Sequence, residues 1–402
     1  MIDLDNQHET KWSDDHFLDG LRLQGDVAAD QCIIELQSQL KEEDFSELFQ
    51  RLNTNNVKVD ENIPDPLKRF LTMTMHIPLV DSHPVDEERL RRGQQVFMTH
   101  ALPSALVLLV KSLPEGYAAP SLSKVLCISS NLSQRPYRRL LGVLQMVINV
   151  SAVGGFDPTG KALVTVPKIR LLHASIRKLV REHLGGYEQQ YGTPVNCEDM
   201  LGTVMGFSYL VIAGLKQLKI GLRDDEAEDL YYLWRIFAQM MGIHPEGQPD
   251  SSEYVPRNLT EAKMFYDSYR RRQYVQADEN PEGVELAATN LRMMSDLLPQ
   301  TPLRRLGMHL IPKMYMEELI GQEGCRRIGI RPVRFLYLTK WLVTTFPSVW
   351  SRLWNVVDRV DTSHHFHENM SRVFFQGLIN REFDGEITFQ IPDTLEELNK
   401  LA

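Results

Sequence analysis

The sequence predicts an all-α protein built around one large helical body. Along most of the 402 residues, apolar side chains recur at the spacing of a helix. Proline and glycine punctuate this pattern, as at Pro167, near the start of one predicted helix, and at Gly185-Gly186, after its end. Asp384-Gly385 is the one good hairpin signal. The predicted fold class is therefore all-α, with a minor β-hairpin near the C-terminus.

The breaks in this pattern divide the chain into three predicted parts. Residues 1–85 form a helical N-terminal extension, with helices over 27–41 and 43–52, and Pro78 and Pro84 enclose a linker at its end. A helical domain over residues 86–360 follows, and residues 361–402 are a C-terminal tail with the short hairpin. The helices predicted in the domain span residues 87–99, 105–113, 124–130, 136–153, 168–184, 197–220, 224–242, 261–276 and 283–298, with more between 301 and 360.

One helix start is predicted in detail. Asn196 is a residue type that caps helices, and Glu198 and Asp199 would place negative charge in the first turn, where the helix dipole favours it. We therefore expect a helix to begin at Cys197 and to end at Gly221.

The composition narrows the class of function. The chain has 44 Lys and Arg against 53 Asp and Glu, a net charge of −9, which argues against nucleic acid as the main partner. Four cysteines without CxxC spacing are typical of a reducing compartment. The polar N-terminus does not resemble a secretory signal, and no uninterrupted apolar run reaches the roughly 18 residues of a membrane span. We expect a cytoplasmic protein without a transmembrane segment, compatible with peripheral membrane contact.

Several chemical motifs are absent from the sequence. It contains no GxGxxG, no P-loop, no GxSxG, no HExxH and no paired Glu-x-x-His. A helix-lined haem pocket remains among the options, because haem needs little more than an axial ligand and an apolar slot.

The helix predicted over residues 168–184 carries the candidate iron ligand. At about 100° per residue, His173 lies about 40° around the helix from Ile169 and so faces the apolar stripe. Arg170 and Arg177 stand at the edge of that stripe, three and four residues away. This arrangement would suit haem, with the imidazole directed towards the iron and the guanidinium groups near the propionates. The same pattern is also typical of a hydrogen-bonded histidine in the core beside two arginines on the surface. His183 also faces the stripe.

Read in order, several segments resemble an oxygenase family. It includes the bacterial latex-clearing protein, a rubber oxygenase, and the fungal oxygenase of mycophenolic acid synthesis. The segments are Ser112-Leu-Pro-Glu-Gly-Tyr117, Tyr137-Arg-Arg139, Gly155-Phe-Asp-Pro-Thr-Gly160, Lys168-Ile-Arg-Leu-Leu-His-Ala-Ser-Ile-Arg177, Asn196-Cys-Glu-Asp199, Thr203-Val-Met-Gly-Phe-Ser208, Tyr232-Leu-Trp-Arg235 and Met241-Gly-Ile243.

This resemblance implies a globin-like helical core around b-type haem, in a protein that cleaves isoprenoid double bonds with O₂. The rubber oxygenases carry Arg-x-x-Lys-Thr on the pocket helix, where this chain has Arg170, His173 and Ala174. Their proximal histidine lies on the following helix, but residues 199–208 of this chain contain no histidine. The comparison therefore suggests either that His173 has become the ligand of the iron, or that this branch binds haem differently or not at all.

The resulting hypothesis is a haem b-dependent oxygenase that acts with O₂ on a small apolar, isoprenoid or otherwise unsaturated substrate. His173 would bind the iron, and Arg170 and Arg177 would neutralise the propionates or orient oxygen. Three residues of the facing helix would complete the cofactor pocket: Thr203, Met205 and Phe207. The alternative is a non-catalytic helical protein of the same fold that binds haem, another ligand or a partner.

Overall fold

The computed structural model describes residues 10–41, 48, 63–128, 136–245, 252–297, 310–331 and 345. These residues contain no strand, and an isolated antiparallel bridge joins Val80 to His83, so the all-α prediction is confirmed. The α-helices, numbered in chain order, are α1 (Asp15–Arg22), α2 (Val27–Gln39), α3 (Asp65–Thr74), α4 (Glu87–Thr99), α5 (Ala101–Val107), α6 (Leu113–Gly116), α7 (Pro120–Ile128), α8 (Pro136–Ser151), α9 (Lys161–His183), α10 (Tyr187–Tyr191), α11 (Cys197–Phe207), α12 (Tyr209–Gln217), α13 (Asp224–Met240), α14 (Leu259–Gln273), α15 (Pro281–Leu297) and α16 (Ile311–Arg327).

Local capping chemistry sets where four of these helices begin. Asp26, Asp86, Asn196 and Asn258 each accept a hydrogen bond from the backbone N–H three residues further on, at 2.8–3.1 Å. Such a bond satisfies a backbone donor that the first turn would otherwise leave open. The predicted cap at Asn196 is therefore confirmed.

The core lies around α13. Trp234, in the middle of this helix, is completely buried. Gly93 brings α4 directly against α13, because a Cβ atom at this position would lie 2.2 Å from the backbone oxygen of Asp229. Arg89 and Arg92 of α4 then bind the Asp229 carboxylate at 2.9 and 2.7 Å.

The helix between residues 101 and 116 differs from the prediction over residues 105–113. It begins at Ala101, and a π-helical segment, Leu108–Ser112, joins α5 to α6. A π segment has wider turns than an α-helix, and such segments are frequent at functional sites. It carries Leu108 and Ser112 towards the cavity described below.

Two other predicted helices have different bounds. The helix predicted to start at residue 168 begins at Lys161 and has Pro167 in its interior. The helix predicted over 197–220 divides at Ser208, whose φ and ψ of −108° and −86° are not helical. The segment Cys197–Gln217 is long and apolar enough to cross a membrane, but 78% of its most apolar window is buried in the protein, so core packing accounts for its composition.

The described parts of the N-terminal extension pack against the domain. Trp12 contacts Phe265 of α14 edge-to-face, and α2 packs against α9. The domain boundaries stay predictions. Most of the helix predicted over 43–52 and the hairpin at Asp384-Gly385 lie outside the described residues.

Candidate apolar cavity and its tyrosine wall

A cavity of about 170 Å³ lies between the π-helical segment Leu108–Ser112 and helices α6, α7, α8, α11, α12, α14 and α15. Most of its wall is aliphatic or aromatic. The lining residues are Leu108, Ser112, Leu113, Gly116, Tyr117, Leu122, Leu126, Val143, Gly202, Thr203, Gly206, Phe207, Leu210, Tyr266, Tyr269, Tyr274, Leu286, Thr289, Asn290 and Met293. Such a wall favours an apolar molecule, because each polar group buried without a partner opposes binding.

One face of α11 contributes Gly202, Thr203, Gly206 and Phe207 to the cavity wall. Thr203 is exposed and Gly206 is partly exposed. A Cβ atom on Gly206 would meet only the Cβ of Ser112, at 3.8 Å, so the glycine leaves open space. Phe207 stacks on Trp234, with 5.3 Å between ring centroids and 18° between planes. The cavity therefore borders the rigid aromatic core.

Three tyrosines form a polar section of the wall. The hydroxyl of Tyr266 donates to Glu115 Oε2 at 2.6 Å and lies 2.9 Å from the hydroxyl of Tyr274. The hydroxyl of Tyr269 donates to Asp199 Oδ1 at 3.0 Å. Each phenol is thus tied, directly or through a neighbour, to a buried carboxylate.

Both carboxylates are paired with cations. Lys111 Nζ lies 2.7 Å from Glu115 Oε1, and both side chains are buried. Arg22 Nη1 lies 3.2 Å from Asp199 Oδ1 and 2.9 Å from Glu198 Oε2. These pairs neutralise the charges behind the tyrosines, so the cavity faces no unpaired carboxylate from this group.

Burial sets the protonation of these groups. It raises the pKa of Tyr266, Tyr269 and Tyr274 above the ordinary value of 10, with a further increase from Glu115 or Asp199. Their phenols therefore keep their hydrogens at neutral pH. Burial, followed by the charge of Asp199, also raises the pKa of Glu198.

The structure separates the site residues predicted from the sequence into two groups. Thr203 and Phe207 line the cavity. Met205 lies on the same helix but is fully buried in the main core and is not among the lining residues. Because two residues subtend about 200° on a helix, Met205 faces away from both.

Arg170 lies on α9 and binds the N-terminal part of the chain. Its Nε and Nη2 donate to the two carboxylate oxygens of Asp26 at 2.6 and 2.9 Å, and its Nη1 donates to the backbone oxygen of Met240 at 3.1 Å. Although burial alone raises the pKa of Asp26, the Arg170 guanidinium outweighs it and lowers the pKa below the ordinary value. This is a bidentate, charge-assisted pair.

Arg177 makes a similar connection about two turns further along α9. Its side chain is fully buried and donates to Asp30 Oδ1 at 2.7 Å and to the backbone oxygens of Val195 and Asp26. Asp26 and Asp30 belong to the start of α2, so the two arginines fasten α2 to α9. Neither arginine is among the residues that line the cavity.

The two candidate histidines also lie on α9. His173 is partly buried, and a ring nitrogen of His183 lies 3.0 Å from the backbone oxygen of Leu179. Neither histidine is among the lining residues.

These positions bear on haem binding. Haem iron takes a histidine, a cysteine thiolate or a tyrosine as its main protein ligand. No histidine or cysteine is among the described residues that line the cavity, and the arginines predicted for the propionates are engaged with carboxylates elsewhere. In the described ranges, no three His, Cys, Asp or Glu side chains are arranged to hold a metal ion. The described cavity residues therefore do not fit a histidine-ligated haem.

The three tyrosines and the π segment were not predicted from the sequence. Tyr266 and Tyr269 are three residues apart, which places them on one face of α14, and Tyr274 follows the end of that helix. This spacing was the available signal, but it is equally typical of core packing. The carboxylate partners lie far away in the sequence and could not be assigned from it.

Comparison with known proteins agrees with the fold. The structure is similar to a solved structure titled "Structure of Latex Clearing Protein LCP in the closed state", with a TM-score of 0.70 and 19% identity over 92% of this chain and 95% of that chain. A curated relative, the rubber oxygenase of Streptomyces sp. (strain K30), is 21% identical over 211 residues, which are 52% of this chain. The match spans about half of that relative's length, 49%.

The all-α fold is therefore that of the solved latex clearing protein. Residues 90–347 match the family described as "ER-bound oxygenase mpaB/B'/Rubber oxygenase, catalytic domain". The chain belongs to this family, and the resemblance inferred from the sequence is confirmed.

Proposed function

We propose that this protein is a rubber oxygenase-like oxygenase that takes a small apolar molecule, of isoprenoid, fatty or aromatic type, into the cavity and reacts it with O₂. The observation that carries this proposal is the largely apolar wall around about 170 Å³ of space. Burial of apolar surface contributes about 25 cal/mol per Å², and a sugar or nucleotide would lose its hydrogen bonds to water there. We also propose a cytoplasmic location.

Haem b as the cofactor, with His173 as the iron ligand, stays a prediction from the sequence. Because the described cavity residues do not fit it, we assign no reaction step to haem. The absorption spectrum of the protein after haem supplementation tests the prediction directly. A Soret band that His173→Ala removes and His183→Ala preserves would assign the iron to His173, and a band lost only in His183→Ala would assign it to the other histidine.

The second candidate is a non-catalytic ligand-binding protein of the same fold. The observation that favours it is the pairing of Arg170 and Arg177 with Asp26 and Asp30, which gives the arginines a structural role. Consumption of O₂ separates the candidates. A protein that binds apolar compounds but takes up no O₂ with them, with or without added haem, would support the binding protein and contradict the oxygenase.

The cavity itself is tested by filling it. Gly206→Leu should abolish binding of isoprenoid and long-chain compounds, because its side chain would enter the open space beside Ser112. Gly20→Leu is the matched control, since Gly20 lies on the exposed face of α1 and a Cβ atom there also meets nothing within 4 Å. Calorimetric titration measures both. Equal affinity in the two variants would place the ligand elsewhere.

A further inference from the structure

The hydrogen bonds of the tyrosine wall have a fixed direction. Tyr266 has one hydroxyl hydrogen and donates it to Glu115, which is a carboxylate paired with Lys111 and can only accept. The contact of 2.9 Å between Tyr266 and Tyr274 must therefore be donated by Tyr274. The oxygen of Tyr274 keeps its lone pairs and receives no hydrogen bond from any described residue.

Other polar groups of the wall follow the same rule. Tyr269 donates to Asp199 Oδ1 at 3.0 Å, and Thr203 donates to the backbone oxygen of Asp199 at 2.9 Å. Asn290 donates through its amide nitrogen to the backbone oxygen of Leu109 at 2.8 Å, which leaves its side-chain oxygen as an acceptor. The hydroxyl hydrogens of Tyr269 and Thr203 and one amide hydrogen of Asn290 are thus directed to the protein, and the described contacts do not assign the second amide hydrogen of Asn290.

Three lining residues with a hydroxyl group remain: Ser112, Tyr117 and Thr289. The described contacts do not assign the hydroxyl hydrogen of Tyr117. The oxygen of Ser112 is buried and has no hydrogen-bond partner in the described ranges, so it does not reach the cavity surface. Thr289 accepts a hydrogen bond from Arg292 at 2.9 Å, and its own hydrogen is not assigned by the described contacts. Thr289, Tyr117 and the second amide hydrogen of Asn290 are therefore the competing donors.

We infer that the ligand of this cavity is an alcohol: an apolar skeleton whose hydroxyl donates a hydrogen bond to the Tyr274 oxygen. This inference rests on the proposed function, because it names the polar group of the apolar molecule proposed there. An ether, ketone or carboxylate placed at Tyr274 would bring its own lone pairs against those of the Tyr274 oxygen. An ammonium group would be buried without a counter-charge, since Glu115 and Asp199 are already paired with Lys111 and Arg22.

The test compares ligands that share one isoprenoid skeleton. Geraniol carries the hydroxyl, geranyl methyl ether lacks the donor, and geranial carries a carbonyl acceptor. Calorimetric titration should show geraniol binding about five- to tenfold more tightly than either, the usual contribution of one hydrogen bond. Equal binding of the three would overturn the alcohol but leave the apolar site in place. Binding of none would overturn both proposals.

Two tyrosine-to-phenylalanine variants test whether the hydroxyl of the ligand binds to the Tyr274 oxygen. Tyr274→Phe should reduce the preference for geraniol and leave the affinity for the ether unchanged, because the ether does not use the acceptor oxygen that is lost. The substitution also removes the hydrogen bond that Tyr274 donates to Tyr266. Tyr187→Phe is the matched control, since the Tyr187 hydroxyl is also buried but donates to the backbone oxygen of Ser121 outside the cavity wall. Thermal melting confirms that both variants fold.

The two lining hydroxyls whose hydrogens are not assigned give the opposite test. Thr289→Val and Tyr117→Phe should each leave the preference for geraniol unchanged. If geranial binds more tightly than geraniol to the wild-type protein, the alcohol inference is wrong, and a variant that abolishes that order identifies the donor.

Discussion

The arginines of α9 and the tyrosines around the cavity are both buried polar groups held by carboxylates, yet they differ in what they leave open. Arg170 and Arg177 direct their guanidinium groups to Asp26, Asp30 and backbone oxygens. Tyr274 instead borders empty space and keeps an unused acceptor. The two arginines show that a buried charged side chain directed into the core is not sufficient to identify a binding site. A polar group that also borders a cavity is the better guide.

The largest effect should come from breaking the arginine pair. Arg170→Ala leaves the buried carboxylate of Asp26 without its cation, and removal of one partner of a buried pair costs about 3–5 kcal/mol. Arg181 provides the control on the same helix, because its side chain is 44% exposed and its pairs should contribute under about 1 kcal/mol. Denaturant unfolding of the two alanine variants measures the difference. Similar losses of stability in both would show that the Arg170 pair has no special role.

Two glycines of α11 sharpen the description of the cavity. A Cβ atom at Gly202 would lie 2.7 Å from the ring of Tyr269, whereas one at Gly206 meets open space. We expect Gly202→Ala to cost about 1–3 kcal/mol through overpacking. Gly206→Ala should instead stabilise the helix by up to about 1 kcal/mol, the difference in helix propensity between the two residues. Thermal melting of the pair tests this, and equal effects would mean that the cavity does not extend to Gly206.

Sequence analysis succeeded where the information is local. Asn196 and the apolar spacing that follows it predict the start of α11 without knowledge of the rest of the fold. The spacing around His173 also shows that Arg170 and Arg177 stand at the edge of the buried stripe. It cannot show their partners, because Asp26 and Asp30 are more than 140 residues away and are placed by the packing of α2 on α9.

The cavity was harder to predict for the same reason. Thr203 and Phe207 were selected through the family resemblance, and both line the cavity. The role of Tyr266, Tyr269 and Tyr274 depends on contacts with Glu115 and Asp199 from two other helices. A space between helices leaves no local pattern in the residues that surround it.

The smallest predicted effect is a difference in pH dependence between the two polar regions. Because the pKa of Asp26 is lowered in the folded protein, its contribution to stability is present above its unfolded value, about 3.8, and is lost as the pH falls through the lower folded value. Glu198, which shares Arg22 with the carboxylate behind Tyr269, has a raised pKa and the opposite sign. In the folded protein Glu198 holds its proton more tightly than in the unfolded chain. Its ionisation therefore lowers the stability as the pH rises from the unfolded pKa, about 4.5, to the higher pKa of the folded protein.

Replacement of each acid by its amide separates these contributions. Asp26→Asn should flatten the loss of stability below about pH 4, and Glu198→Gln should flatten the decrease above about pH 4.5. Each slope can change by at most about 1.4 kcal/mol per pH unit, the value for one proton. Denaturant unfolding across pH 2.5–7 measures both. The prediction is that the two variants change the profile in different pH ranges and with opposite signs. If both change it in the same range and with the same sign, the pKa values of Asp26 and Glu198 are not shifted in opposite directions.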